Sequence, residues 1–382
     1  MRSSERRSSL TGGEPLLSAT LIVRDEERVL AACLQSLKSL VDEIIVVDTG
    51  SADRSAELAL EQGAKVFHFP WCDDFAAARN FAIERASCPW LLYIDADERV
   101  RDGDHARTRV ALSDPRALAA RVRFYPRSGF TAYPEYRLFR RHPQVRFEGV
   151  VHESMLPALK RLVAAEGALI LDCDLTIDHI GYDGPQTHKS ERYLKLLKQA
   201  LASNSRRLYL WWHLGCVHRD RGEIAQAESC WRHGAALAVT EHRQSADANL
   251  CHIELIALET QRGEDPVALI GEGLRLRPDN HLLRHLEARE LMKRERFGEA
   301  VQLFAELAQI DPDTLLADHA YDKKIFGTTA ATHAAECAFR AGLYHEAARW
   351  YGVAERTCSN ALEFRTKRML AEAYERRAAT TR

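Results

Sequence analysis

The chain has 382 residues, enough for two or three domains with a sizeable core, and its 46% apolar and 28% charged residues are the proportions of an ordinary soluble protein. Lys and Arg (53) nearly cancel Asp and Glu (55), leaving a net charge of -2, which excludes a broadly basic nucleic-acid binder. No apolar run reaches the roughly 18 residues of a membrane-spanning helix, and nine cysteines without a CxxC read as the reduced thiols of a cytoplasmic protein.

Residues 1–16 are basic and polar and lack the apolar stretch of a signal peptide, so a disordered tail is expected there. Ser18 to Val23 then reads as a strand, followed by a helical segment with Val29, Leu30, Cys33 and Leu37 on one face. The apolar run Glu43-Ile44-Ile45-Val46-Val47 suits a strand buried on both sides of a parallel sheet. A helix is expected from about Ser51 to Gly63, with Ser51 or Asp53 as its cap, then a short strand over Ala64–Phe67. Phe75–Ala86 reads as a helix and Trp90–Ile94 as a fourth strand. Strand–helix units of this length predict a doubly wound α/β sheet. From Arg121 to Ile180 the pattern becomes strand-rich, with prolines as punctuation, and predicts an antiparallel extension of that sheet.

Beyond His188 the sequence reads as helical throughout. Trp211, Leu214, Gly215 and His218, followed by Ala227, Trp231 and Gly234, follow the spacing of a tetratricopeptide repeat, with His218 where the repeat usually has tyrosine. Weaker copies centre on Gly263 with Ala268, on Phe297 with Ala300, Phe304 and Pro312, and on Leu343 with Ala347 and Tyr351. Leu362–Ala378, rich in Glu and Arg, reads as a polar capping helix. Such an array suits an interaction module or a homodimer interface. Cys216 and Cys230 read as small core residues, and the pair His281 and His285 lacks a carboxylate to complete a zinc set.

In an open parallel sheet, ligands bind beyond the carboxyl ends of the strands. Those ends carry Arg24-Asp25-Glu26-Glu27, Asp48-Thr49-Gly50-Ser51-Ala52-Asp53 and Asp95-Ala96-Asp97-Glu98. Three carboxylate clusters at one edge repel unless a cation or hydrogen-bond donors sit among them, and a divalent metal with a polar nucleotide meets that need. No GxGxxG follows the first strand and no GxxxxGK[ST] occurs, which argues against dinucleotide dehydrogenases and P-loop enzymes. His152-Glu153 is followed by Leu156 where a zinc protease needs its second histidine.

Six ordered blocks, SATLIVRDEE, EIIVVDTGSADRS, WCDDFAAARNFA, WLLYIDADE, YRLFRRHP with RFEGVVHE, and IDHIGY, carry a resemblance. Over roughly the first half of the chain they resemble the inverting family 2 nucleotide-sugar glycosyltransferases of the GT-A fold. Followed by tetratricopeptide repeats, the layout also resembles a bacterial subgroup that includes the peptide S-glycosyltransferases of glycosylated bacteriocins. Other members with this layout act on lipopolysaccharide or other surface glycans.

The resemblance implies that Asp97 of the DxD motif binds Mn²⁺ or Mg²⁺, with Asp95 contacting the ribose or the metal through water. A solvated acidic loop is the plain alternative. Asp48 matches the aspartate that accepts a hydrogen bond from the nucleotide base, which favours uridine donors, against a simple Asp-Thr-Gly turn. Glu26 matches a nucleotide contact, against an acidic first helix turn, and Asp53 is better explained as a helix cap. Asp74, Arg79 and Asn80 are expected at the donor, Arg79 offsetting carboxylates or meeting the diphosphate and Asn80 bonding sugar hydroxyls, against a plain surface helix. Glu153 stands where inverting members keep the acidic base that deprotonates the acceptor, and His179 where a last metal ligand often sits. Glu98 is a supporting partner, Gly181 lets the chain turn past the diphosphate, and Arg137, Arg140 and Arg141 are a basic cluster for phosphate or acceptor of which only a subset can act together, since Arg137 and Arg141 share a strand face and Arg140 faces the other way.

The expected architecture is α/β plus all-α: a GT-A domain over 17–187 and tetratricopeptide-like repeats over 188–382. The expected function is metal-dependent, inverting transfer of a hexose from a nucleotide sugar, UDP-glucose for example, to a Ser, Thr or Cys side chain of a peptide or protein. A surface-glycan or lipid-linked acceptor, a repeat scaffold with a silent transferase domain, and a nucleotidyltransferase on a related sheet are the rivals.

Overall fold

The computed structural model describes residues 16–103, 105–181, 187–241, 245–357 and 360–380. Of the expected tail over residues 1–16, residues 1–15 lie outside them. The chain forms two compact units, Met1–Phe124 with Pro134–Tyr182, and Tyr125–Tyr133 with Asp183–Arg382.

In the first unit β1 (Leu17–Val23), α1 (Leu30–Leu37), β2 (Glu43–Asp48), α2 (Ser55–Glu61), β3 (Lys65–His68), α3 (Phe75–Arg85) and β4 (Trp90–Tyr93) alternate as expected. β1 runs parallel to both β2 and β4, and β2 parallel to β3. Then come β5 (Glu98–Val100), α4 (His105–Ala111), β6 (Ala117–Tyr125), β7 (Tyr133–Arg140), α5 (Leu156–Glu166) and β8 (Leu169–His179). They complete an eight-stranded sheet in the order β3-β2-β1-β4-β7-β6-β8-β5, with β7 antiparallel to β4 and β8 antiparallel to β5. The antiparallel extension is therefore present, and the whole is a GT-A-like mixed sheet. Ile45, Val47, Leu91 and Phe139 pack with Ala82 and Ile83 of α3 and Leu159 and Leu162 of α5. That apolar layer fixes α3 against the strands, which matters below because α3 carries Arg79.

Helix α2 starts later than its sequence suggests. Arg54 occupies the cap position without a capping side-chain bond, and Asp53 instead accepts from the N–H of Ser55 at 2.9 Å and its hydroxyl at 2.6 Å. The residues before Ser55 are held in a loop by partners from the β1 end, which removes them from the helix.

The second unit is helical: α6 (Thr187–Ser203), α7 (Leu208–Asp220), α8 (Ile224–Glu241), α9 (Leu250–Arg262), α10 (Val267–Leu276), α11 (His281–Lys293), α12 (Phe297–Ala308), α13 (Gly327–Arg340), α14 (Tyr344–Thr357) and α15 (Ala361–Thr380). Four hairpin turns join α7 to α8, α9 to α10, α11 to α12 and α13 to α14. Each contains one residue of positive φ: Gly222 at 77°, Gly263 at 75°, Glu295 at 59° and Gly342 at 74°. Three are glycine, the residue that enters this region without a Cβ penalty, and Glu295 carries that penalty.

Close packing explains the repeat residues. A Cβ on Gly215 would stand 2.2 Å from the Trp231 indole nitrogen, so α7 and α8 approach only because Gly215 has none. In the second copy, Ala268 is exposed. Its place is taken by Pro266, Ile270 and Gly273, all buried, with the Ala227, Trp231, Gly234 spacing. The copy is read correctly two residues earlier, after a shortened turn. In the later copies Ala300, Phe304, Ala347 and Tyr351 are buried as expected. Helix α15 is less polar on its exposed side than composition suggests, with Leu362, Met369, Leu370 and Tyr374 open to solvent. Residues 125–133, between β6 and β7 in sequence, join this unit: Thr131 donates its N–H to the Tyr321 carbonyl and its hydroxyl accepts the Tyr321 N–H, both at 2.9 Å.

Candidate active site

The loops after β1 and β2 are laced together before they offer anything to a ligand. Asp25 accepts from Ala52 N–H at 2.7 Å, Asp53 from Glu27 N–H at 3.0 Å, and Glu27 from Arg54 N–H at 3.2 Å. Ser51 and Ser55 hydroxyls accept from the N–H groups of Asp25 and Glu26. Asp25 holds φ of 57°, an uncommon conformation that aspartate tolerates, and the Ala52 bond secures it. Asp25, Glu27 and Asp53 are thus loop-closing residues. Glu26, half-buried, stands among them. Asp48, at the end of β2, is buried and accepts from Ser51 N–H at 3.1 Å, with His68 Nδ1 at 3.2 Å. A carboxylate has about four lone-pair sites, so acceptor capacity remains for a base N–H.

Arg79 is the joint of the site. Its buried guanidinium donates from Nη2 to Asp95 at 2.8 Å and from Nε to Glu153 at 2.5 Å. The rings of Tyr93 and Phe147 lie 5.0 and 5.5 Å from it. One cation from α3 therefore links the carboxylate after β4 to the candidate base more than fifty residues later in the chain. Burial alone pushes the Asp95 carboxyl up, but Arg79 and Arg137 outweigh it and hold it below the usual carboxylate range. Burial likewise drives the Tyr93 phenol above its ordinary value, so Tyr93 serves as a neutral ring.

Asp97 and His179 meet directly, Oδ2 to Nε2 at 3.0 Å. The backbone sets this contact, since Asp97 O accepts from Ile180 N–H at 2.9 Å. Gly181, at φ of 57°, passes close to the His179 ring. A carboxylate and an imidazole that converge while about one third exposed (31% and 36%) are a chemically suitable pair of ligands for Mn²⁺ or Mg²⁺. Among the described residues no group of three or more His, Cys, Asp or Glu gathers to hold an ion alone.

Beside this pair Glu98 is buried with Arg137, which donates to its two oxygens at 2.7 and 3.1 Å and to Glu135 at 3.2 Å. Burial pushes the Glu98 carboxyl up to about 7, with Arg137 pulling the other way.

The segment carrying Glu153 is built onto α3. Asn80 donates its amide N–H to the Phe147 carbonyl at 3.0 Å and accepts the Phe147 N–H at 2.9 Å, imitating a strand neighbour. Phe75 N–H meets Val150 O at 3.0 Å, and Glu148 and Ser154 exchange backbone bonds at 3.1 and 3.0 Å. His152 accepts a φ of 51° in that turn. Three of the expected residues have structural partners here. Asn80 spends one amide N–H and one lone pair on the Phe147 backbone and so clamps the Glu153 segment, with a second N–H and lone pair left on the amide. Asp74 is the N-cap of α3, accepting from Ala77 N–H at 2.9 Å. The arginines of YRLFRR do not form a basic cluster: Arg137 is buried on Glu98, while Arg140 donates to the Ala117 and Asp114 carbonyls beside the Trp90 ring.

The sequence reading missed Tyr93, Phe147, Phe124 and Glu135. Tyr93 and Phe147 lay inside the quoted blocks, but only the fold shows their rings beside Arg79.

Residues 18–160 match the family model for glycosyl transferase family 2. The first unit therefore carries a family 2 glycosyltransferase domain. A TPR repeat-containing protein of Synechococcus elongatus is 37% identical over 225 residues, 57% of this chain and 56% of its own length. The SPbeta prophage-derived glycosyltransferase SunS of Bacillus subtilis is 29% identical over 147 residues, 36% of this chain and 34% of that protein. The match thus spans about half of the first relative and a third of the second. A solved structure of glucosyl-3-phosphoglycerate synthase from Mycobacterium tuberculosis, in complex with Mn²⁺ and uridine-diphosphate-glucose, aligns with a TM-score of 0.36 and 16% identity, covering 49% of this chain and 79% of that one.

Proposed function

We propose that this chain is an inverting glycosyltransferase that moves a hexose from a uridine-linked nucleotide sugar to a Ser, Thr or Cys side chain of a peptide or protein. The observation that carries the reading is the joining of Asp95, Arg79 and Glu153 beside the Asp97–His179 pair, at the carboxyl ends of parallel strands in a family 2 domain. Glu153 is the base, Asp97 and His179 are the metal ligands, and Asp48, Glu26 and Asp95 are the donor contacts. Asp74 and Asn80 shape the site through α3.

A Mn²⁺ or Mg²⁺ ion held by Asp97 and His179, when bound, neutralises charge on the diphosphate leaving group. The chain's own residues do the rest. Asp48 accepts the base N–H and orients the nucleotide. Arg79 holds Asp95 and Glu153 in fixed relation, so that the donor side and the base are not free to drift apart. Glu153 takes the proton from the acceptor hydroxyl or thiol as that atom attacks the anomeric carbon. The bond from that carbon to the diphosphate oxygen breaks on the opposite face, and the anomeric configuration inverts.

The resemblance to the bacteriocin peptide S-glycosyltransferase subgroup supports a peptide acceptor, and helical hairpin repeats suit recruitment of a protein partner or self-association. The test is acceptor competition with UDP-glucose and Mn²⁺. Peptides bearing Ser, Thr or Cys are expected to gain the mass of one hexose. Transfer confined to a surface oligosaccharide would overturn the peptide reading while leaving the transferase reading intact.

A further inference from the structure

Resting on that functional reading, we infer that the buried Glu98–Arg137 pair is the positioning device that sets the metal-facing geometry of Asp95, Asp97 and His179. Glu98 acts in two directions at once. Its Oε2 accepts the Asp95 N–H at 2.9 Å, fixing the first residue of the DxD loop. Its backbone lies opposite His179 in the β5–β8 register, so the residue that holds Asp95 also aligns the strand ending in the histidine. The β8 end then bonds back to the loop through Ile180 N–H and Asp97 O.

Arg137 joins this unit to the rest of the sheet. Its guanidinium lies 4.5 Å from the Tyr93 ring centre and 4.8 Å from that of Phe124. Tyr93 lies between Arg137 and Arg79, and Phe124 stacks on His179 with centroids 6.3 Å apart and planes 28° apart. A continuous series of contacts therefore runs from Glu153 through Arg79, Tyr93, Arg137 and Phe124 to His179. Displacing Arg137 moves the surfaces against which both the base joint and the metal histidine rest.

Stability alone does not account for the pair. A buried ion pair is often no better than apolar residues of the same volume. Arg137 also keeps a buried Nε–H without an acceptor among the described residues, a cost that packing for stability would remove. Outer partners of metal ligands characteristically tune affinity by about ten- to a hundredfold.

The test titrates full-length protein with Mn²⁺ in the presence of UDP, reading free Mn²⁺ by electron paramagnetic resonance and folding by thermal melting. Four variants are compared with the wild type: Glu98→Gln, Arg137→Met, the double variant, and Asp97→Ala. The double variant removes the pair without stranding a buried charge, so it guards against simple misfolding. We expect Mn²⁺ affinity to fall about ten- to a hundredfold in the double variant while it melts cooperatively near the wild type. Wild-type affinity in the folded double variant, with Asp97→Ala impaired, would overturn the positioning inference alone. Equal binding by wild type and Asp97→Ala would overturn the metal site itself, and the inference with it.

Discussion

Arg79 shows how one side chain can define a site that three separate stretches of sequence supply. Its two bonds hold Glu153, the proposed base, and Asp95, the proposed donor contact, in fixed relation. Replacing Glu153 with Gln keeps the size and a polar end but removes the proposed base. We expect the rate of transfer to a hydroxyl acceptor to fall by about 10²- to 10⁴-fold with donor affinity retained, as measured by initial rates and donor titration. A thiol acceptor should lose less, because thiolate is accessible near neutral pH. Asn80→Ala tests the clamp. It leaves the Phe147 N–H and C=O without their partner and should cost about 1–3 kcal/mol of stability in denaturant unfolding. An unchanged midpoint would show that Asn80 is not structural.

At the scale of elements, sequence and structure agree where burial is continuous and part where long-range contacts decide. The strands β1, β2 and β4 were legible as apolar runs because both faces of a parallel sheet are covered. Their carboxyl ends located Asp48, Asp95 and Asp97 without any structure. The Asn80 clamp was not legible, since its partner Phe147 lies 67 residues away. Arg140 is the same case, its acceptors being carbonyls on other elements. The second repeat was misread because alanine was expected where Pro266 sits, two residues before Ala268; the glycine of that copy is Gly273, where a Cβ would stand 2.6 Å from Leu283. Gly215→Ala should therefore destabilise the helical unit by about 1–3 kcal/mol, because the buried Trp231 ring has no room to yield. Equal melting temperatures would refute this packing account.

The helical unit also carries an acid sensitivity. Burial, reinforced by His333 and Arg289, lowers His285 from its ordinary value near 6.5 to about 4. The unfolded chain then binds a proton below pH 6.5 that the folded chain refuses. Stability is complete above that pH, falls as pH drops towards 4, and levels off below, a loss of about 3 kcal/mol for a fully expressed shift of this size. His285→Leu should flatten the melting-temperature profile between pH 6.5 and 4 relative to the wild type. Parallel profiles would assign the acid sensitivity to other groups.

For the whole molecule, the two units have different physical grammars: a mixed sheet whose carboxyl edge gathers charge, and helical hairpins whose turns and small residues repeat. No helix among the described residues is long and apolar enough to cross a membrane. The domain that matches the family model was legible because its acidic loops follow buried strands, whereas an acceptor is not written in any single motif. The central claim, that Asp97 anchors a metal-assisted nucleotide-sugar site, is tested most directly by donor hydrolysis and binding. The full chain would be offered UDP-, GDP-, dTDP- and CMP-sugars with Mn²⁺, with Mg²⁺ and with EDTA, alongside Asp97→Ala. The account predicts metal-dependent binding and slow hydrolysis of a UDP-sugar, abolished by EDTA and by the substitution. Folded wild-type protein that ignores every donor in the presence of metal, or binds one equally well with Asp97 replaced, would contradict it.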